Sequence, residues 1–343
     1  MKLRSFLTSI GSIALGLFIV FGGVHVASAL TVAPPLSELD LTPGQTTQTQ
    51  IKLYNETRNP VTLYSEVVNF GASGETGNPS YDFSGEKIGL SSWIDVAPGP
   101  ITINAGDSAE IPIKINTPEN AEPGGHYAVV FFSENPPSAE SNQVAIGTKV
   151  GTLYLADVAG DVTEDATIAE FGTTASRYSR LPVNFFVRYN NIGNIHLRPT
   201  GKITIKNMFG KTAGTVQVNA TRAATLPGQI RRYEASWEKN AVDNTPADAF
   251  SGFWQEYTND WHNFAFGKYT ATIVMTAQTS TQAIQKTSTT QFWVIPWRLL
   301  LVDGLVIIII ILLLVYGIRK YNDWIIHKAG GHTTTGGRSA KVK

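Results

Sequence analysis

The apolar segment from Leu299 to Ile318 constrains the fold of this chain more than any other feature. A helix of 20 residues rises about 30 Å, which matches the hydrocarbon thickness of a bilayer. Asp303 is the one charged residue in the segment and lies near its start. A carboxylate there can reach the headgroups, whereas at the bilayer centre it would cost about 2.5 to 3.5 kcal/mol. We therefore predict a transmembrane helix over residues 297–320.

Residues on both sides of this segment predict its orientation. Trp293 and Trp297 precede it and Tyr321 and Trp324 follow it, as in the aromatic belts of membrane proteins. Basic residues follow the segment: Arg319, Lys320, Lys328, Arg338, Lys341 and Lys343. The positive-inside rule then predicts a cytoplasmic tail over residues 321–343. A buried core helix is the alternative, but only a Gly/Thr-rich tail comes after it.

The N-terminus has the three parts of an export signal over residues 1–29. Lys2 and Arg4 form a basic start, Phe6 to Val26 is apolar, and Ala27-Ser28-Ala29 is a small-residue cleavage site. An uncleaved signal anchor is the alternative, and it too would export the residues that follow. The chain has no cysteine, which favours a bacterial cell-surface protein because secreted animal domains depend more on disulfides. We expect a single-pass plasma-membrane protein with residues 30–296 outside.

Charge divides the exported part into two halves. Residues 30–165 carry 5 Lys and Arg against 18 Asp and Glu, a net charge of −13, whereas residues 166–296 carry 13 against 7, a net charge of +6. The basic half can rest against anionic lipid or wall polymer. Alternatively, the two halves attract each other and fix the angle between them.

Short alternating or β-branched runs between Pro-Gly turns predict an all-β fold made of two tandem immunoglobulin-like, antiparallel β-sandwiches. We place an acidic sandwich at 30–160 and a basic one at 161–296, with Gly160 to Asp165 as a solvated linker. The predicted strands are 47–54, 61–68, 110–115, 126–133, 143–157, 181–190, 201–207, 215–219, 230–237, 268–277 and 287–295.

An aromatic insertion over residues 239–268 interrupts the second sandwich. Thr245 can cap a helix with Pro246 at its first position. One face then carries an aromatic stripe, formed by Phe250, Phe253, Trp254, Tyr257 and Trp261. We expect the stripe to pack over an open end of the sandwich. The alternative is docking on a membrane surface or on a protein partner, mainly through Phe253, Trp254, Tyr257 and Trp261.

Catalytic and cofactor motifs are missing from the sequence. There is no Gly-x-Ser-x-Gly motif, zinc-ligand spacing, phosphate-binding glycine loop or nucleic-acid-reading module. Ser84 to Lys87 matches Ser-x-x-Lys, but the companion motifs of penicillin-recognising enzymes are absent. We therefore expect a protein that is not an enzyme and that uses no cofactor, metal or nucleic acid.

The glycine-rich stretch from Phe70 to Leu90 looks like an irregular loop on a rigid scaffold, where binding residues often lie. We predict that Tyr81, Phe83, Trp93 and His126 contact a ligand, since aromatic side chains can stack on sugar rings or on side chains of a partner. The alternatives are a mobile crossover between the sheets and a purely structural histidine.

Residues 31–157 resemble the peptidoglycan-binding domain of WxL-interacting proteins, which are surface proteins of Gram-positive bacteria. The resemblance lies in Val32–Pro34, Leu41–Gln45, Ile51–Asn55, Trp93-Ile94, Pro123–Tyr127 and Val130–Phe132. It implies an immunoglobulin-like fold, peptidoglycan as a ligand, and WxL-type surface proteins as partners.

Two functions follow as hypotheses. The first is a surface protein that binds peptidoglycan or another cell-wall polymer, another surface protein, or both. The second is an extracytoplasmic, chaperone-like assembly module that binds protein strands by β-augmentation.

Overall fold

A computed structural model describes residues 30–83, 86–136, 149–242, Thr245, 248–279 and 283–329. The predicted export signal over residues 1–29 and the part of the predicted cytoplasmic tail over residues 330–343 lie outside these ranges. The described residues are mainly β-strand and form two compact units. Unit 1 comprises residues 30–73, 78–163 and 194–196, and unit 2 comprises residues 74–77, 164–193 and 197–329. The predicted boundary at residue 160 stays a prediction.

Unit 1 is a β-sandwich of two sheets with one helical turn, α1 (Leu90–Trp93). The first sheet has the order β1 (Leu30–Ala33), β3 (Thr46–Asn55), β8 (Ser108–Asn116) and β6 (Ile94–Asp95). The second has the order β2 (Leu36–Leu41), β10 (Lys149–Val158), β9 (Gly124–Ser133), β4 (Val61–Ser73) and β5 (Asn78–Asp82), with β7 (Ile101–Ile103) also paired to β4.

The core of unit 1 follows from strict alternation along its strands. In β8 the side chains of Ile111, Ile113 and Ile115 are buried while their neighbours are exposed. Successive side chains of a strand point to opposite faces, so such a run supplies one inner face. Ile51 and Leu53 of β3 and Phe132 and Tyr154 of the opposite sheet join the same cluster.

The expectation of purely antiparallel sheets is wrong at β2, which runs parallel to β10 from Leu36 opposite Leu153 to Leu41 opposite Val158. Its predecessor β1 is antiparallel to β3 in the other sheet. Pro34 and Pro35 separate the two strands, and Pro cannot continue a ladder because it lacks an N–H. The segment therefore leaves one sheet at the prolines and joins the other.

The expectation of an irregular loop from Phe70 to Leu90 is also wrong in its first half. There β4 and β5 form a hairpin in which Phe70 pairs with Tyr81. Gly74 and Gly77 close it with φ of +58° and +74°, which glycine adopts without strain. The sequence Asn-Pro-Ser-Tyr-Asp of β5 has no apolar alternation, so its pattern did not indicate a strand.

Unit 2 also contains two sheets. Its three-stranded sheet has the order β11 (Ala166–Thr173), β13 (Val183–Asn191) and β16 (Ile230–Trp237). Its five-stranded sheet has the order β12 (Arg177–Tyr178), β18 (Ala283–Val294), β17 (Gly267–Gln278), β14 (Thr200–Asn207) and β15 (Thr212–Val218), where the β12–β18 pair is parallel. The predicted linker is incorrect at its end, since Asp165 pairs with Lys286 at 3.0 Å and Glu164 is buried.

Two helices complete unit 2. Helix α2 (Ala249–His262) lies between β16 and β17 as predicted, but its cap is Asp248 rather than Thr245. The Asp248 carboxylate accepts the N–H groups of Phe250 and Ser251, which satisfies the first turn. Helix α3 (Trp297–Ala329) is long and apolar enough to cross a membrane, and it continues past residue 320 through the basic residues.

Candidate binding site

Strand β4 has an open stretch along one of its edges. Its other edge pairs with β9 through residues 64–69. Along the open edge, β7 covers Val61–Leu63 and β5 covers Asn69–Ser73. Between them the Ser65 N–H donates to the Pro98 carbonyl at 3.1 Å.

The hydrogen-bond alternation of an antiparallel strand shows which groups face this stretch. Successive residues direct their N–H and C=O groups to opposite edges. Because Ser65 faces Pro98, Val67 directs its N–H and C=O the same way, into the space between β5 and β7. No strand among the described ranges pairs with Val67 on that side. We call this opening the β4 gap.

A concavity of about 460 Å³ lies over the β4 gap. Ser65 to Asn69 form one wall, and Phe83, Ile94, Val96 and Pro98 add apolar surface. Its charged lining residues are Glu66, Asp82, Lys87 and Asp95. Beside it, the Lys149 ammonium lies 2.9 Å from the Glu66 carboxylate and 4.4 Å from the centre of the Phe83 ring. The opening thus combines backbone hydrogen-bonding groups with apolar side chains and more acidic than basic ones.

Two of the predicted contact residues lie beside this concavity. The rings of Tyr81 and Phe83 lie 5.0 and 5.6 Å from the Phe131 ring, on the outer face of the sheet. Tyr81 is half-buried there, and burial raises the pKa of its hydroxyl. Phe83 keeps 51% of its surface exposed and lines the concavity. Phe83 is therefore available to a ligand, whereas Tyr81 mainly supports it.

The other two predicted contact residues meet in a second concavity of about 630 Å³, the Trp93–His126 cleft. Their ring centres are 4.6 Å apart with planes inclined by 48°. His126 Nε2 lies 2.8 Å from the Glu122 carbonyl oxygen. A carbonyl can only accept, so this nitrogen carries the proton. A side chain at Gly89 would come within 3.0 Å of His126 Nδ1, so glycine there allows the loop to approach the imidazole.

Asn69 lines both concavities and holds the loop between them. Its side-chain amide donates to the Glu86 carbonyl at 2.9 Å, and its oxygen accepts the Ile88 N–H at 3.4 Å and the Ser91 hydroxyl. These hydrogen bonds hold residues 86–90 in place between the concavity over the β4 gap and the Trp93–His126 cleft. Sequence reasoning missed both Asn69 and Val67. The position of Asn69 directly after the predicted strand 61–68 is a weak signal for a structural role. Nothing in the local sequence shows that the backbone of Val67 faces an open edge.

The aromatic stripe is part of unit 2. Its expected role as packing over the sandwich is not met, because the buried residues of α2 are Asn259 and Asp260. Trp254 and Trp261 are exposed, while Phe253 and Tyr257 are half-buried. The docking role of the stripe stays a prediction. In the described part of the chain, no group of three or more His, Cys, Asp or Glu residues is placed to hold a metal ion.

These observations define a chain of two β-sandwich units followed by one long apolar helix. No family model and no curated protein matches the sequence. Among solved structures, the class 5 fimbriae chaperone CfaA is similar with 12% identity over 76% of this chain and 99% of that chain, at a TM-score of 0.38. The Escherichia coli chaperone DraB shows 13% identity over 78% and 97%, at 0.32. The Pseudomonas aeruginosa chaperone CupB2 shows 7% over 75% and 97%, at 0.33. TM-scores this low support no conclusion about function, so the fold description rests on the strands and sheets themselves.

Proposed function

We propose that this chain is a non-catalytic binding protein, held at a bilayer by α3, whose unit 1 binds an extended segment of another protein at the β4 gap. The observation that carries the proposal is the backbone of Val67, which faces a concavity between two strands that cover the rest of the same edge. β-Augmentation uses main-chain N–H and C=O groups that face outward from a strand edge in this way.

The size of the β4 gap limits what it can bind. β5 and β7 block the edge on both sides of Ser65 to Asn69, so a bound segment can pair over only about two or three residues at roughly 3.4 Å each. Main-chain pairing alone is then weak. Most of the affinity has to come from side chains that enter the concavity and contact Phe83, Ile94 and Val96.

Charge narrows the partner to a basic segment. Residues 30–165 carry a net charge of −13. Three carboxylates (Glu66, Asp82 and Asp95) line the concavity against the one ammonium of Lys87, and Lys149 pairs with Glu66, which leaves Asp82 and Asp95 in excess over Lys87. Complementary charge speeds association and disfavours acidic partners. A peptide that alternates Lys or Arg with Val or Thr fits both the charge and the extended backbone.

The location completes the proposal. With α3 crossing the plasma membrane and the basic residues after it on the cytoplasmic side, the sandwiches lie outside the cell. The partner is then an exported or surface protein. A WxL-type surface protein, as the resemblance of residues 31–157 suggests, is one such partner.

The test is binding of synthetic heptapeptides to the full chain in nanodiscs. We expect a Lys/Val/Thr peptide to bind more tightly than a Glu/Val/Thr peptide, and N-methylation of its central residues to weaken binding. Asp95→Lys should reduce affinity about tenfold or more, whereas Asp40→Lys, the same change on exposed β2 at the far side of the sheet, should not. Equal effects of the two substitutions, or no effect of N-methylation, would refute strand pairing at the gap.

A second candidate function is binding of a cell-wall polymer such as peptidoglycan in the Trp93–His126 cleft. The cleft places two aromatic rings beside Asn120 and the Glu122 carbonyl, a combination that suits the apolar face and the hydroxyl groups of a sugar. In a sedimentation assay with purified peptidoglycan, this function requires that Trp93→Ala abolish binding and that Asp95→Lys leave it intact. The opposite pattern assigns any wall association to the β4 gap.

A further inference from the structure

Helix α2 has an unusual distribution of polar and apolar residues. Its buried residues are polar, with Asp260 fully buried and Asn259 nearly so. Its aromatic side is exposed: Phe250, Trp254 and Trp261 keep 76%, 43% and 60% of their surface. At 100° per residue, positions 250, 254, 257 and 261 fall on one face. A soluble helix normally buries that face, so this one suits an apolar surrounding outside the sandwich.

Side-chain contacts hold α2 against the start of α3. The Tyr257 hydroxyl donates to Asp303 Oδ1 at 2.9 Å. Asp303 is the seventh residue of α3, so this contact lies about 9 Å along the helix axis from Trp297. Arg180 and Arg298 each pair with both Glu256 and Asp260, at 2.6 to 3.5 Å. Helix α2 therefore lies beside the first two turns of the apolar helix.

Other exposed apolar residues lie at the same end of unit 2. Asn207 pairs with Tyr269 and Gly267 pairs with Val294, so the end of β14, the start of β17 and the end of β18 meet where α3 begins. Phe209, at the turn that follows β14, is 85% exposed. Phe264, Phe266 and Trp293 are also exposed there.

We propose that this end of unit 2 is a bilayer-contact face, formed by Phe209, Phe250, Trp254, Trp261, Phe264, Phe266 and Trp293. The face enters the headgroup and outer acyl region of the bilayer that α3 crosses. The inference rests on the membrane crossing in the proposed function and goes beyond it, because a single span by itself leaves the sandwich free to stand away from the lipid.

The depth of the Tyr257–Asp303 contact favours lipid over a protein partner. The headgroup region is about 5 to 8 Å thick on each side of the hydrocarbon, and interfacial helices enter about 5 to 10 Å. A contact about 9 Å beyond the start of α3 lies within these depths. The hydrogen bond from Tyr257 also gives the one carboxylate of the apolar segment a partner at that level. Lys211 and Lys268, next to Phe209 and Phe266 in the fold, suit anionic headgroups.

The absence of cysteine makes a direct depth measurement possible. Single cysteines at Thr258 on α2, Lys211 beside Phe209, Thr221 at the opposite end of unit 2 and Leu312 in α3 each take a nitroxide label. The full chain is reconstituted in vesicles of phosphatidylcholine and phosphatidylglycerol. Electron paramagnetic resonance then compares collisions of each label with lipid-soluble oxygen and with an aqueous relaxant.

We expect the Leu312 label to be deep, the Thr258 and Lys211 labels to lie in the headgroup region, and the Thr221 label to be fully aqueous. Replacing Trp254, Trp261 and Phe264 together by Ser should move the Thr258 label into water. The matched control is Ile192→Ser, which replaces an exposed apolar residue in the loop after β13 and should leave the Thr258 label in the headgroup region. A deep Leu312 label with aqueous Thr258 and Lys211 labels would overturn the bilayer-contact face and leave the span intact. An aqueous Leu312 label would overturn both. Shielding of Thr258 from both relaxants would indicate a protein partner and would equally overturn the lipid assignment.

Discussion

Asp260→Ala tests the ion cluster that holds α2 in place. Asp260 is fully buried, with Oδ1 2.8 Å from Arg180 Nη1 and Oδ2 3.5 Å from Arg298 Nη1. Both guanidinium groups also approach Glu256, at 2.6 and 3.4 Å. Burial alone would lower the pKa of Arg180, but its hydrogen bonds to Glu256 and Asp260 outweigh burial and raise it. The four side chains form a neutral set, and removing the buried carboxylate leaves two mostly buried cations with one partly exposed carboxylate.

The magnitude follows from this geometry. Breaking a buried ion pair typically costs about 3 to 5 kcal/mol, because the remaining charge loses its partner in a dry environment. Glu256 remains near both arginines, so we expect the lower end, about 3 kcal/mol. For a unit of this size about 1 kcal/mol corresponds to roughly 2 to 4 °C, which predicts a fall in Tm of about 6 to 12 °C.

The assay is thermal unfolding of the full chain in detergent, followed by tryptophan fluorescence. Glu234→Ala is the matched control, because Glu234 pairs with Arg232 at 2.9 Å but its side chain is 70% exposed. Exposed pairs contribute little, so its Tm should stay close to wild type. If Asp260→Ala shifts Tm no more than Glu234→Ala does, the cluster does not stabilise α2 and the reasoning is wrong.

Three further predictions concern single side chains. Asn55 is buried and donates to the carbonyls of Asn59, Ile103 and Asn104. Asn55→Ala should therefore lower the free energy of unfolding of unit 1, measured by urea titration, by about 3 kcal/mol. An effect near zero would show that water replaces these hydrogen bonds. The N–H groups at the start of α2 lower the pKa of the Asp248 carboxyl below its ordinary value of 3.8. The cap therefore stabilises the helix above pH 3.8, and this stabilisation is lost as the pH falls through the lowered pKa. The circular dichroism signals at pH 7 and pH 2 should differ less for Asp248→Asn than for wild type, and an unchanged difference would contradict the cap. Asn69→Ala removes the hydrogen bonds that hold residues 86–90, so it should weaken heptapeptide binding several-fold. If calorimetry gives the variant the wild-type affinity for the peptide, residues 86–90 do not contribute to the site.

Regular local patterns made part of the fold predictable. The predicted strand over 230–237 coincides with β16, and 268–277 lies within β17. In β17 and from Tyr233 to Trp237 of β16, buried side chains alternate with more exposed ones, as the sequence pattern predicts. Strand β2 could not be read in the same way, since its parallel pairing to β10 depends on a distant strand. The cap of α2 was misplaced because several residues before the helix can act as caps, and only the geometry shows that Asp248 accepts the first N–H groups.

The candidate site was predictable in its residue types but not in its arrangement. Trp93 and His126 were predicted as ligand contacts from their residue types, but the approach of their rings to 4.6 Å depends on the packing of α1 against β9. The β4 gap arises from where β5 and β7 pair along one edge of β4, while β9 covers the other edge, and no side chain marks it. A backbone site of this kind is invisible to any reading of residue types.

Hydrogen–deuterium exchange on β4 tests strand pairing at the β4 gap most directly. The full chain in nanodiscs is exchanged with and without the tightest-binding heptapeptide, and the fragment Tyr64–Asn69 is followed by mass spectrometry. If the peptide pairs with β4, the amide of Val67 should exchange about tenfold more slowly on binding, while the amides of β15 at the edge of the five-stranded sheet should be unchanged. Unchanged exchange in Tyr64–Asn69 with saturating peptide, or protection at β15 instead, would contradict this pairing.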